Sequence, residues 1–427
     1  MNTIIRWLYS LVLFLASPLL LRSLYKKKEG KPSFGKRWKE HFGLTPKLRE
    51  SQQPIWIHAV SVGEAIAATP IIKALKQKSP EQPILVTTTT STGAAQIEKL
   101  GDLVEHRYMP IDFSFAVRGF LKAVRPSKML IMETELWPNT LHCVAKQSIQ
   151  ISVLNARLSE KSYLNYRKVQ PIFNLLARNL SNVFCQYQDD AERFVKLGLP
   201  SEQVHLTGSV KFDVDVNEDT LKKGKKLRQQ LGLNRPVWIA ASTHKGEDEQ
   251  VLSAHSKLLK SIPNALLILV PRHPERFSAV TELSEEQGFQ TIRRTSATSV
   301  DEHVNVYMGD TMGEMLTLIG ASDICFMGGS LIGEKVGGHN LLEPAALKKP
   351  SITGPSYYNF LEITEALIEN NATIVIDDSE QLSKTLIELM QDQTRASEMG
   401  ENASQFVANN SGAISKTLAL LEAQQPS

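Results

Sequence analysis

The chain has little cysteine. Its three cysteines, Cys143, Cys185 and Cys325, are far apart, stand in apolar contexts and form no C-x-x-C. That excludes a disulfide framework and a zinc ribbon, and suits a reducing compartment. No GxxxxGK[ST] occurs, which argues against a P-loop nucleotidase. No short-period repeat occurs, so a solenoid is excluded. Net charge is small, +3, but uneven. Residues 1–50 hold 11 Lys and Arg against 3 Asp and Glu, while the rest holds 37 against 42. The mildly acidic body argues against a nucleic-acid binder. What is present is ordinary globular material, 42% hydrophobic and 22% charged, in 427 residues. That length suits two or three domains.

The longest apolar run lies at the start. Residues 7–21 carry no charge, and extension to residues 4–25 adds only Arg6 and Arg22, which can snorkel. Basic residues follow, and no small-residue cleavage site does. The reading is an uncleaved membrane anchor, single-pass or monotopic, with the following domains on the cytoplasmic face. Lys26, Lys27, Lys28, Lys31, Lys36, Arg37 and Lys39 would then face an anionic surface or an anionic lipid.

From residue 54 onward, short apolar runs alternate with helical spacing. Runs at 54–60, 84–90, 128–133, 150–155, 183–188 and 204–209 read as strands. Residues 214–229 are polar and break the pattern. It restarts with runs at 237–242, 266–270, 304–308, 324–328, 351–354 and 372–376, and the tail from about residue 379 reads as helical. This predicts an anchor segment over 1–50 and two Rossmann-like parallel-sheet domains, 51–213 and 214–427, facing a cleft. That architecture fits glycosyltransferases, some epimerases and ligand-binding proteins alike.

Chemistry-bearing residues cluster where strands turn into helices. HAVSVGE places Glu64 in a first helical turn, as a dipole-favoured acid or as a general base. METELWPN places Glu133 and Glu135 one residue apart, on one side of an extended segment. TGSVKFD offers Lys211 as a counter-charge for phosphate or carboxylate. Asp213 and Asp215 read as a solvated pair in a linker rather than a metal site. In the second half, STHKGE offers helix-terminal amides to an anion, PRHPER offers Arg272, and GDTMGE is another strand-to-helix turn. Glycines before GGHNLLEP permit close backbone approach, with Glu343 as an acceptor for a ribose diol. Four such turns in one half point to a nucleotide site. Lys211, Arg272 and helix amides could meet a phosphate without a metal, and no cofactor is expected.

Taken in order, GKRWKEHFG, HAVSVGE, METELWPN, LNARLS, TGSVKFD, STHKGE, LVPRHPERF, GDTMGE and GGHNLLEP resemble the Kdo (3-deoxy-D-manno-octulosonic acid) transferase family nearly end to end. The resemblance implies an α/β fold of the GT-B type. It implies transfer of Kdo from CMP-Kdo to a lipid A precursor of the lipid IVA type, by inversion, at the inner membrane. By motif, Glu64 would be the proton acceptor, and Glu133 and Lys211 would stabilise the transition state. Pro271, Arg272, Met312, Gly313, Glu314, Asn340, Leu341, Leu342, Glu343 and Pro344 would contact CMP. The segment 331–336, LIGEKV, is longer than the pattern leads one to expect. Two alternatives stay open. A nucleotide-sugar epimerase would turn over the donor without lipid. A membrane-tethered nucleotide-sugar binding protein would bind CMP and form no product.

Overall fold

The computed structural model describes residues 2–26, 32–49 and 52–423. Lys27, Lys28 and Lys31 of the basic segment lie outside the described residues. The chain forms two compact units, Met1–Asp213 with Ser411–Ser427, and Val214–Asn410.

Unit 1 holds a seven-stranded parallel sheet. Its strands are β1 (Ile55–His58), β2 (Ile84–Thr88), β3 (Glu105–Tyr108), β4 (Lys128–Met132), β5 (Gln150–Ala156), β6 (Asn182–Cys185) and β7 (Val204–Leu206). The order is β3-β2-β1-β4-β5-β6-β7. Six of the seven were readable as apolar runs. β3, EHRY, was not, because three of its four side chains are only partly buried. Both faces of the sheet are covered, which is why β1, β2 and β6 are buried at every position rather than alternating.

Unit 2 repeats the plan with β8 (Val237–Thr243), β9 (Leu266–Pro271), β10 (Thr291–Arg293), β11 (Val306–Met308), β12 (Ile324–Met327), β13 (Ser351–Thr353) and β14 (Thr373–Val375). The order is β10-β11-β9-β8-β12-β13-β14, again parallel. In each unit the first strand is central, and the order reverses beside it, between β1 and β4 and between β8 and β12. Such switch points are where doubly wound sheets bind ligands.

Two expectations are corrected. The polar stretch 214–229 is mostly helix, Glu218–Leu231, whose Gly224, Leu227 and Leu231 are buried. The tail does not belong wholly to the second domain. The helix Ala413–Ala423 buries Ala413, Leu418 and Leu421 with Ala67, Ile71, Ile72 and Val210 of unit 1. Asp213 fixes its start, accepting the N–H groups of Gly412 and of Ile414, the latter at 2.7 Å. Asp213 is therefore a helix cap, not a solvated linker acid.

The helix Asn2–Tyr25 belongs to unit 1. Residues 5, 6, 9, 10, 13, 16, 17, 21, 24 and 25 form its covered stripe, at helical spacing. The Tyr9 hydroxyl hydrogen-bonds Asp112, and the Asn139 amide donates to Ser10 Oγ at 3.0 Å. At the far end, Tyr25 Oη lies 2.7 Å from His41 Nδ1. The other face is apolar and open: Ile4, Trp7, Leu8, Leu11, Val12, Phe14, Leu15, Leu19 and Leu20 are each more than half exposed.

The basic segment then forms a tight helix, Gly35–Phe42. Arg37 is not left for a membrane. It pairs bidentately with buried Glu40, donates to the His106 carbonyl and covers the Tyr108 ring. Lys36 and Lys39 remain exposed. Gly43 closes the segment at φ +79, against the backbone of Ala116, where a Cβ would come within 2.2 Å of the carbonyl oxygen.

Candidate active site

In unit 1 the two acids of interest follow the two strands at the switch point. After β1, Ser61 caps the helix Val62–Lys78 by accepting the Glu64 N–H at 3.3 Å. Glu64 reaches back. Its Oε1 accepts the Ser61 hydroxyl at 2.9 Å, and its Oε2 accepts the Val60 N–H at 2.8 Å. This is a capping box displaced one residue toward the strand. The carboxylate is held by two donors and is only 7% exposed. Burial pushes its pKa up to about 7; the Val60 and Ser61 donors oppose the rise, and the charges of Glu135 and Glu133 add to it. A carboxyl poised near neutrality is suited to general-base work.

After β4, the extended alternation expected for Glu133 and Glu135 does not hold. Glu133 has φ +57 and starts a turn, with its N–H donating to the Leu154 carbonyl at 2.9 Å. Asn155, on the neighbouring β5, is also left-handed at φ +52. Each such residue costs about 1–3 kcal/mol, and they gather at functional sites. Glu135 is partly buried, and that burial raises its pKa, as does the charge of Glu133.

Lys211 lies in the turn Val210–Phe212. Its neighbours on both sides are buried, while Lys211 is exposed. Asn155 Oδ1 accepts the Val210 N–H at 3.2 Å and fixes the turn, against which the helix Val62–Lys78 also packs. Glu64, Glu133 and Lys211 thus share one edge of unit 1. Asn155 Nδ2 and Ser209 Oγ are buried there without a partner, groups that a bound ligand would satisfy. Asn155 was quoted within LNARLS but not singled out. An asparagine just past a strand, tolerant of positive φ, was the available signal.

A cavity of about 690 Å³ in the same unit is lined by Leu24, Tyr25, Phe34, Trp38 and Phe42 and by residues 90–92. Thr90 connects it to the acid. Its hydroxyl donates to the Val60 carbonyl at 3.3 Å and accepts the Gly93 N–H at 3.0 Å.

In unit 2, Pro271 ends β9, and the Arg272 N–H donates to the Thr243 carbonyl at 2.9 Å. Glu343 is close enough to feel the Arg272 charge, while burial raises its pKa. Asn340 Oδ1 accepts the Leu342 N–H at 3.1 Å, closing the turn that leads into Leu342–Ala346. Leu341, Leu342 and Pro344 bury their side chains, so backbone is what they offer a ligand. Met312 is 65% exposed, beside left-handed Gly313. Glu314 is not free: Arg294 grips it bidentately at 2.6 and 2.7 Å and holds its pKa down to about 2. No motif flagged Arg294, which is distant in sequence. The segment 331–336 includes a short turn, Gly333–Lys335, tied by the Tyr358 hydroxyl donating to the Glu334 carbonyl at 2.8 Å.

Of the amides after β8, that of His244 is not open. Buried Glu247 accepts it at 3.2 Å, together with the N–H groups of Gly329, Ser330 and Leu331 from the loop after β12 at 2.7, 3.0 and 3.0 Å. Glu247 thereby ties the two loops together.

Comparison with known proteins identifies the family and the fold. A family model described as 3-Deoxy-D-manno-octulosonic-acid transferase (kdotransferase) matches residues 36–214, and one described as Glycosyl transferases group 1 matches residues 225–406. The 3-deoxy-D-manno-octulosonic acid transferase of Haemophilus influenzae is 38% identical over 420 residues, 98% of each chain. The solved C-terminal CMP-Kdo binding domain of WaaA from Acinetobacter baumannii is 36% identical, covering 44% of this chain and 98% of that one, with a TM-score of 0.43. The UDP-GlcNAc 2-epimerase of Neisseria meningitidis, solved bound to UDP-GlcNAc, is 15% identical with a TM-score of 0.51, covering 84% of this chain and 99% of that one; it shares the fold. With two doubly wound parallel sheets in the GT-B manner and this identity across its length, the chain belongs to the Kdo transferase family of glycosyltransferases.

Proposed function

We propose that the protein transfers Kdo from CMP-Kdo to a lipid A precursor of the lipid IVA type, with inversion, in lipopolysaccharide biosynthesis. The observation that carries this reading is Glu64: a carboxylate at a switch point, fixed by Val60 and Ser61, with its pKa pushed up to about 7. As general base it removes the proton of the acceptor hydroxyl while that oxygen attacks the anomeric carbon and CMP departs. Lys211, exposed on a pinned turn, offsets the charge on the leaving phosphate. Glu133, held in a strained turn, steadies the positive charge developing on the sugar. Unit 2 supplies the donor contacts through Pro271, Arg272, residues 312–314 and residues 340–344.

The acceptor reading rests on the aromatic-lined cavity, one hydrogen-bonded peptide away from Glu64. An apolar chamber at the end of an apolar helix suits a lipid. The helix Asn2–Tyr25 is about 36 Å long. It is gripped near both ends by unit 1, so it lies in the inner membrane's cytoplasmic face as a monotopic element. A perpendicular span would draw the flank of unit 1 into hydrocarbon.

The direct test is a mass spectrum of a lipid A precursor incubated with the detergent-solubilised protein and CMP-Kdo. A gain of whole Kdo residues is expected. An unchanged acceptor with intact CMP-Kdo would overturn the reading.

A further inference from the structure

At the unit 2 switch point, two histidines meet that the donor contacts above leave unused. His244 follows β8, and His339 lies in the loop after β12. Their Nε2 atoms are 2.9 Å apart, and the rings lie 14° from parallel with centroids 5.1 Å apart. His339 rests on Gly329, where a Cβ would come within 3.0 Å of the ring. At this separation one proton lies between the two nitrogens. In the neutral pair, one ring then carries hydrogen on Nδ1, and the other leaves its Nδ1 lone pair open.

The surroundings are cationic. His273 stands edge-on to His244 at 5.4 Å, and Arg272 and His273 act on both rings. Arg276, which also acts on His244, is paired with Asp248. Lys245 is exposed alongside. Three other carboxylates stand nearby: Glu247 is occupied by four backbone amides, Glu275 lies 3.9 Å from His273, and Glu343 is within reach of the Arg272 charge. Burial first, then the cationic neighbours, lower the pKa of each histidine to about 4. A second proton is therefore unwelcome until negative charge arrives. Glu247 engages the amides of His244, Gly329, Ser330 and Leu331, and the two imidazoles add titratable nitrogens that can meet an anion here.

We propose that His244 and His339 form a proton-sharing pair that binds an anionic oxygen of the sugar-nucleotide donor and takes up one proton from solvent as it binds. The added proton fills the open Nδ1, so that both rings donate to the anion. One N–H bond forms, at Nδ1, with the proton supplied by solvent; no other covalent bond changes. The proposal rests on the reading of unit 2 as the donor unit. The donor carries two anions, a phosphate and a sugar carboxylate, and both fit this chemistry.

The test is calorimetry of CMP binding to the full-length protein, in buffers of different ionisation heat, from about pH 6 to about pH 8. The variants are His244→Gln and His339→Gln, whose amides keep a polar contact but do not titrate. Melting temperature checks their folding. The phosphate's own titration is common to all samples, so the difference from wild type isolates the pair. The expected result is proton uptake by wild type that both variants lose, with CMP affinity about tenfold weaker in the variants near pH 6 and converging with wild type near pH 8. If CMP binding is unaffected but the KM for CMP-Kdo shows that same variant-dependent pH profile, the anion is the carboxylate. Variants that match wild type in both measurements across the range overturn the proposal. Wild type that binds neither CMP nor CMP-Kdo overturns the donor reading instead.

Discussion

Glu64 and Thr90 hold opposite ends of one peptide residue: Glu64 takes the N–H of Val60 at 2.8 Å, and Thr90 gives its hydroxyl to the Val60 carbonyl at 3.3 Å. Thr90 also lines the aromatic cavity. The acid and the chamber are thereby linked through a single residue, Val60.

The first prediction concerns pH. The proposed base, Glu64, would act as its anion, and its pKa is pushed up to about 7. The rate at saturating donor should fall as pH drops through that value. The Glu135 charge contributes to the elevation. Glu135→Gln should therefore move the acid limb to lower pH. A limb that stays in place, or moves up, contradicts the coupling.

The second concerns Lys211. Exposed and with no hydrogen bond or ion pair of its side chain among the described residues, it can be replaced without harm to the fold. Lys211→Ala should lower kcat about 100-fold or more while leaving the melting temperature unchanged. Steady-state kinetics with a melting curve decides this.

The third concerns Arg294, which holds Glu314 through two short contacts. Arg294→Ala should loosen the 312–314 turn and raise the Kd for CMP about tenfold. Transfer at saturating donor should be largely restored. A large loss of kcat instead would place Arg294 in the chemistry rather than in positioning.

The fourth concerns the tail. Asp213→Ala removes the cap on Ala413–Ala423 and should cost about 1–2 kcal/mol. Thermal unfolding of unit 1 reads this as a fall of about 2–8 °C. No change would mean that the buried Ala413, Leu418 and Leu421 hold the helix unaided.

The fifth concerns the apolar helix. A monotopic helix keeps both ends on one side of the membrane. Thr3→Cys and Lys39→Cys should both resist a membrane-impermeant maleimide added outside intact cells, and both should react in inverted vesicles. Labelling of Thr3→Cys from outside would mean a span.

Most of the fold was legible because buried parallel strands write themselves as apolar runs. The short β3 and β10 were not, since their side chains are only partly buried. The helix Glu218–Leu231 was hidden by its charged exposed face, with buried positions only at Gly224, Leu227 and Leu231. The tail's return to unit 1 depends on contacts between residues about 200 positions apart, which no local pattern records. At the candidate site, motifs pointed to Glu64, Glu133, Lys211 and Arg272. They did not reveal that Glu133 is left-handed, that Glu314 is occupied by Arg294, or that Glu247 gathers amides of the loop after β12. Each of these is a long-range arrangement of backbone and charge, while a motif specifies only residue order.

The account depends most on Glu64. The decisive measurement is the transfer rate and CMP affinity of Glu64→Gln beside wild type, in one detergent preparation. The amide retains the size of the side chain and an acceptor for the Val60 N–H, and cannot act as a base. The account predicts transfer reduced about 1,000-fold or more, with the Kd for CMP within about twofold of wild type. Turnover near that of wild type would contradict it and remove Glu64 from the chemistry.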